Sequence, residues 1–248
     1  MTFLDQQLVS CICITHNNVD FLKRSIACFQ QQTYNPKELI VAFTPDNTAA
    51  SDFLSRVNDP SVKVLKFPPG IPLTLGEKRN TAIDFARGFY FCVWDDDDWY
   101  SRNRLEFQVK SLAGTALKSS ALSAIILYDA PANQAYLSAT RWAWEQTLLC
   151  QKSVFESPAM RYAKLERGED SGLLFNLKKH NLLLTLERPD LYIYVYHGNN
   201  SFHRGHWEVN ILPWGKKLSD DHSTLIQKIL EGKVHRTEAS SLLENILT

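Results

Sequence analysis

Neither sign of charge dominates this chain of 248 residues: 27 Lys and Arg balance 27 Asp and Glu. The balance removes the long-range attraction to nucleic acid or an anionic membrane that a strongly basic protein carries. No apolar run approaches the ~20 residues needed to span a bilayer. The opening residues lack the basic stretch and apolar core of a secretory signal. Disulfide and zinc signatures are also missing. The five cysteines (Cys11, Cys13, Cys28, Cys92 and Cys150) are odd in number, none shows CxxC spacing, and most lie inside apolar runs. That usage suits buried thiols in a reducing compartment. The expectation is a soluble cytoplasmic protein, able at most to lie on the inner membrane surface.

The first hundred residues alternate strand and helix signals. Apolar runs rich in β-formers at 8–14, 39–43, 62–67 and 89–94 predict buried strands. Helical spacing between them predicts helices from about 21 to 34, 51 to 57 and 76 to 87, with Gly88 as the C-cap of the last. Repeated β-α-β units with short connections imply a parallel, right-handed sheet that binds ligands at the carboxyl ends of its strands. Beyond Ser101 a helix to Gly114, one strand over 121–128, a strand-like 147–150, a helix over 169–180 and strands over 182–186 and 192–196 are expected. Leu225, Ile226, Ile229 and Leu230 match Leu242, Leu243, Ile246 and Leu247 in spacing. Two amphipathic helices forming a hairpin, laid on the domain or on a partner chain, follow from that match. The predicted division is a domain over 1–214 and a hairpin over 215–248.

Four consecutive aspartates, Asp95, Asp96, Asp97 and Asp98, follow the apolar strand 89–94. Such a run is costly unless a cation or a helix N-terminus offsets it. Mg²⁺ or Mn²⁺ takes one or two carboxylates together with substrate phosphates, so a metal that grips a nucleotide-linked substrate fits the position. The plain alternative is an acidic loop capping the next helix. Arg79 near a helix start suits a phosphate or a base edge, or is merely solvated. Glu169-Asp170 offers either a general base or ordinary helix-start charge. His197 and His203, in the loop after the last core strand, are possible metal ligands or phosphate donors. Trp142, Trp144, Trp207 and Trp214 either stack on sugars or pack the core.

Five segments in order resemble the inverting glycosyltransferases of family 2, over roughly residues 8–203. Residues 9–18 (VSCICITHNN) are similar to the opening strand and its turn. The stretch 29–34 with 38–41 resembles a Gln-Thr-Tyr and Glu-Leu-Ile-Val segment. Leu75-Gly76-Glu77-Lys78-Arg79-Asn80 is similar to the Arg-Asn motif, Ala86 to Trp99 to the strand that ends in the DxD metal motif, and Glu169-Asp170 to the Glu-Asp motif. The resemblance implies an α/β GT-A fold, Rossmann-like, with a mostly parallel sheet flanked by helices and here a C-terminal helical appendage. It implies Mn²⁺ or Mg²⁺ as cofactor and a sugar moved from a nucleotide-sugar donor, UDP-linked by expectation, to a glycan, lipid-linked or protein acceptor. By the same likeness Thr15, His16, Asn17, Arg79, Asp95 and Asp96 serve the donor, Asp97 holds the metal and Asp170 is the catalytic base. Phe43-Thr44-Pro45-Asp46-Asn47 stands where the family usually has two acids, so base recognition is expected to pass to Asp46 or to backbone groups. No nucleic acid is expected as a partner, and a homodimer through the C-terminal helices is possible. Two other readings compete: a nucleotidyltransferase, disfavoured because 15–18 lacks the glycine of a phosphate loop, and a binding module that keeps the fold without turnover.

Overall fold

Strand β1 (Val9–Ile14) lies inside a seven-stranded sheet and is buried on both faces. That is why it reads as one apolar run rather than an alternation. The computed structural model describes residues 7–16, 18–44, 46–140 and 143–247. β1 pairs in parallel with β2 (Lys37–Phe43) and β4 (Tyr90–Val93), and β2 pairs in parallel with β3 (Val62–Lys66). The sheet order is β10-β6-β9-β4-β1-β2-β3. Here β6 is Ser119–Leu122, β9 is Leu149–Gln151 and β10 is Leu183–Leu186. β9 alone runs antiparallel to its neighbours. The architecture is the mixed α/β layer that the sequence predicts.

The two faces carry two cores. Cys11, Cys13, Leu39, Val41, Tyr90 and Cys92 point to one, with Leu22, Ile26 and Phe29 of α1 (Val19–Gln30). Ile12, Ile40, Phe91 and Val93 point to the other, with Ala82 and Ile83 of α3 (Leu75–Phe85) and Leu173 and Leu177 of α5 (Ser171–Lys179). α2 (Thr48–Leu54) and α4 (Arg104–Leu112) complete the first layer. All five cysteines are buried and free.

A smaller sheet, ordered β12-β8-β7-β11-β5, stands beside the first. It contains β5 (Trp99–Tyr100), β7 (Ile126–Asp129), β8 (Gln134–Ser138), β11 (Tyr192–Tyr196) and β12 (Gly215–Lys217). The single strand predicted over 121–128 is two strands, β6 and β7, one in each sheet. Ser123 to Ile125 carry the chain across: the Ser123 N–H donates to the Leu186 carbonyl and the Ile125 N–H to Ser138 Oγ. An apolar run with no Gly or Pro hides that break.

The C-cap role expected of Gly88 is also corrected. Helix α3 ends at Phe85, and Ala86, in extended conformation, follows it. A Cβ on Gly88 would lie 2.4 Å from the Tyr90 carbonyl oxygen and 2.6 Å from Ser10 Oγ. Close approach to β1, not a left-handed cap, requires glycine there.

The tail forms α7 (Asp220–Leu230) and α8 (Arg236–Leu247), after the short α6 (Arg204–His206). Ile226, Ile229, Ala239 and Leu243 pack into the first core, so the pair lies on its own domain. Residues 215–217, grouped with the hairpin by the sequence, form β12 and pair with β8.

Candidate active site

Thr15, Thr44 and the aspartates 95–98 follow β1, β2 and β4, and parallel pairing brings these turns to one rim. They line a cleft of about 780 Å³ whose remaining lining includes Glu145, Gln146, residues 166–170, Tyr194, His197 and residues 199–202. Residues expected on the donor side and those of the Glu-Asp motif therefore share one cavity.

The four aspartates do four different things. Asp95 Oδ1 pairs with Arg79 Nη2 at 3.3 Å, and its carbonyl oxygen accepts from Tyr100 Oη at 3.0 Å. Asp96 Oδ2 accepts from Thr15 Oγ1 at 2.6 Å. Asp97 Oδ2 lies 3.1 Å from His197 Nε2 and 3.4 Å from Asn200 Nδ2, and its carbonyl oxygen accepts from Arg24. Asp98 is fully buried between β5 and β11, where it accepts from the Tyr192 hydroxyl and, at 2.8 Å, from the Val195 N–H. It caps no helix; α4 starts after Asn103. Burial together with the neighbouring Asp97 pushes the Asp96 carboxyl up to about 7 and that of Asp98 well above its ordinary value. Desolvation and crowding of like charge both disfavour ionisation, so the run by itself resists carrying four negative charges.

Arg79 sits below the rim rather than on it. Its Nη1 is 2.9 Å from Glu145 Oε2 and 2.9 Å from Glu169 Oε1, and the guanidinium lies 5.3 Å from the centre of the Tyr162 ring. Only 7% of its surface is exposed. Burial alone would lower its pKa, but Glu145 and Asp95 outweigh that and hold it well above the ordinary value. Burial pushes Glu145 up to about 8 against the pull of Arg79 and raises Glu169 as well.

The loop before α5 is fastened to α3. Asn80 Nδ2 donates to the Tyr162 carbonyl at 2.9 Å, and the Tyr162 N–H donates to Asn80 Oδ1 at 3.1 Å. The Gly76 N–H donates to the Leu165 carbonyl, and a Cβ at 76 would fall 1.8 Å from the Ala163 oxygen. Asp170 follows this loop at the N-cap position of α5, yet its side chain makes no capping hydrogen bond. Its carboxylate stays free of the ordinary helix-start duty and lines the cleft.

The other expected residues divide between the cleft and the rest of the molecule. His16 lines the cleft from its exposed turn, whereas Asp46 lies exposed after β2, held by the Thr44 side chain. His203 is exposed, precedes α6 and is not part of the cleft wall. His197 Nδ1 accepts from the Asn199 N–H at 3.3 Å, which puts the ring hydrogen of the neutral form on Nε2, facing Asp97. Trp207 is core: it stacks on Tyr194 and Tyr196 and donates to Asp129. Trp144 packs against the first core and Trp214 is half-exposed, while Asn17 and Trp142 lie outside the described residues. Glu145, Tyr162 and Asn200 went unnoticed in the sequence. The usable signal for Glu145 was one acid in the stretch 142–150, otherwise aromatic, apolar and uncharged, because an acid buried there needs partners.

Among the described residues no group of three or more His, Cys, Asp or Glu side chains is arranged to hold an ion alone. The carboxylates at the cleft, with the His197 ring hydrogen-bonded to Asp97, nevertheless fit a hard divalent ion that completes its shell with phosphate oxygens.

A mostly parallel sheet flanked by helices, with a smaller sheet beside it and an acid-lined cleft, is the architecture of GT-A glycosyltransferases. S. aureus TarS 1–349 in complex with UDP shares that fold at a TM-score of 0.60 and 15% identity, over 94% of this chain and 74% of that one. So does the mannosyltransferase PcManGT from Pyrobaculum calidifontis in complex with GDP-Man and Mn²⁺, at 0.59 and 14%, over 98% and 74%. The profile of glycosyl transferase family 2 matches residues 10–146, more than half of the sequence, and the chain belongs to that family. An uncharacterized glycosyltransferase of Methanocaldococcus jannaschii is 30% identical over 109 residues, 43% of this chain and 38% of that protein. The Escherichia coli UDP-Glc:alpha-D-GlcNAc-diphosphoundecaprenol beta-1,3-glucosyltransferase WfgD is 28% identical over 111 residues, 44% of this chain and 42% of its own. The chain thus matches about two fifths of the length of these curated relatives.

Proposed function

We propose that this protein transfers a glycosyl group from a nucleotide-sugar to a hydroxyl acceptor in one in-line displacement that inverts the anomeric centre. The observation that carries this reading is the shared cleft, with the acid run 95–98 on one wall and an uncapped Asp170 on the other. Asp170 accepts the acceptor's hydroxyl proton, and the freed oxygen attacks the anomeric carbon. The bond from that carbon to the phosphate oxygen breaks, and its electron pair leaves with the nucleoside diphosphate. Asp97, oriented by the Nε2–H of His197, would hold the divalent ion, Mn²⁺ or Mg²⁺, and the ion would neutralise the departing diphosphate. Thr15 orients Asp96, and Thr44, His16 and Phe43 line the end of the cleft assigned to the base.

A uridine donor is supported by TarS bound to UDP and by the UDP-glucose named for WfgD. The proposed setting is bacterial surface-glycan or glycoconjugate synthesis, with a glycan, lipid-linked or protein acceptor. No helix among the described residues is long and apolar enough to cross a membrane; work at the inner membrane surface is part of the proposal. A homodimer through the C-terminal helices, treated as an appendage, would use their outer faces, since Ile226, Ile229, Ala239 and Leu243 are turned inward.

A panel of nucleotide-sugars with Mn²⁺, read by release of the nucleoside diphosphate, tests the reading. Turnover with one donor, lost in Asp97→Ala and Asp170→Asn, is expected. No binding of any nucleoside diphosphate by calorimetry, with Mn²⁺ present, sinks it.

A further inference from the structure

Glu145 lies outside the five segments that carry the family resemblance, yet it closes the set of contacts that joins the two walls of the cleft. Arg79 Nη1 reaches both Glu145 Oε2 and Glu169 Oε1 at 2.9 Å, while Nη2 reaches Asp95 Oδ1 at 3.3 Å. The guanidinium therefore stands between the head of the acid run and the residue directly before Asp170. One cation among three acids has several places to settle, and Glu145 removes that freedom because its own position is fixed. Its turn is held by Gln108 Nε2 donating to the Thr147 carbonyl at 2.8 Å and by the Leu148 N–H donating to the Glu145 carbonyl at 2.7 Å. The Tyr162 hydroxyl, on the loop that leads to Asp170, donates to Glu145 Oε1.

We infer that Glu145 is a positioning residue: through Arg79 and Tyr162 it sets the spacing between Asp95 and Asp170, and so governs the transfer step rather than donor binding. The catalytic part rests on the glycosyl-transfer reading; the geometric part does not. What the position requires is hydrogen-bonding atoms. Glutamine at 145 offers an oxygen to Arg79 and an amide to the Tyr162 oxygen, whereas leucine offers neither.

The test compares Glu145→Leu, Glu145→Gln and Tyr162→Phe with wild type by nucleotide-release kinetics and by amide hydrogen exchange of the ligand-free proteins. Glu145→Leu should lower kcat at least about tenfold with donor KM within about threefold, because a small misplacement of reacting groups acts on the chemical step. It should also speed exchange across 162–170 and leave α7 unchanged. Glu145→Gln should stay within about threefold of wild-type kcat. If the leucine variant does not fold, Tyr162→Phe, which removes one hydroxyl, carries the test with a loss of about threefold in kcat and the same local exchange pattern. Wild-type kcat and wild-type exchange in the leucine variant would overturn the inference. So would a loss confined to donor KM, or a glutamine variant as impaired as leucine. Exchange needs no substrate, so a wild-type protein that turns over no nucleotide-sugar refutes the transfer reading alone and leaves the spacing to be decided by exchange.

Discussion

The cleft's two walls gather acids in opposite ways. On one wall four aspartates are neighbours in the chain, and their side chains disperse to Arg79, Thr15, His197 and Tyr192. On the other wall Glu145 and the adjacent pair Glu169-Asp170 come from two distant segments, and Glu145 and Glu169 converge on a single guanidinium. Adjacency in sequence does not mean a shared role, since Asp98 is a strut of the small sheet whereas Glu145 works beside Glu169. The difference also places the weak points. The first wall depends on what each aspartate finds, and the second depends on Arg79 holding several elements together.

The comparison can be broken most severely at Asp170. Under the proposed reaction Asp170→Asn removes the proton acceptor without removing a helix cap, so transfer should fall about a thousandfold with nucleotide binding by calorimetry unchanged. A smaller loss would leave the second wall without its reactive member. Next comes Asp98→Leu, which strands the Val195 N–H and the Tyr192 hydroxyl in the interior; about 3 kcal/mol of stability should be lost in denaturant unfolding. If stability holds, Asp98 is not the strut described. Asp97→Ala should cost roughly a hundredfold in turnover and flatten the dependence on added Mn²⁺ while the melting temperature stays put.

The gentlest probe is pH. Burial raises Glu145 in the folded state to about 8, above its unfolded value, so its contribution to stability is complete at low pH and is lost as pH rises toward 8. Between pH 6 and pH 8 the wild type should lose about 2 kcal/mol that Glu145→Gln does not lose, measured by denaturant titration. Equal slopes in the two proteins would show that Glu145 ionises inside the fold as freely as in water.

Much of the first hundred residues is readable because their strands are covered on both faces: continuous apolar stretches in β1, β2 and β4 leave few alternatives. The shared rim follows from parallel pairing, so Thr15 and the aspartates could be placed from the strand pattern alone. Beyond residue 119 the chain changes sheets and uses short 3₁₀ turns, and there periodicity loses its hold. The run 121–128 reads as one strand because side-chain polarity does not report which sheet a backbone joins. Glycine was equally ambiguous: Gly88 looked like a helix end, and its actual constraint is a distant strand. Arg79 is legible in the sequence as a candidate residue near the cleft but not as the centre of an ion cluster, since Glu145 lies 66 positions away.

The fastening of the loop to α3 has a consequence for redesign. Tyr162 is pinned by Asn80 and Glu169 by Arg79, while the side chains from 163 to 167 between them face solvent. The loop is therefore a cassette with a held backbone and replaceable side chains, of which Glu166 and Arg167 already border the cleft. Exchanging those few side chains would change the border of the cleft while Asp170 keeps its address.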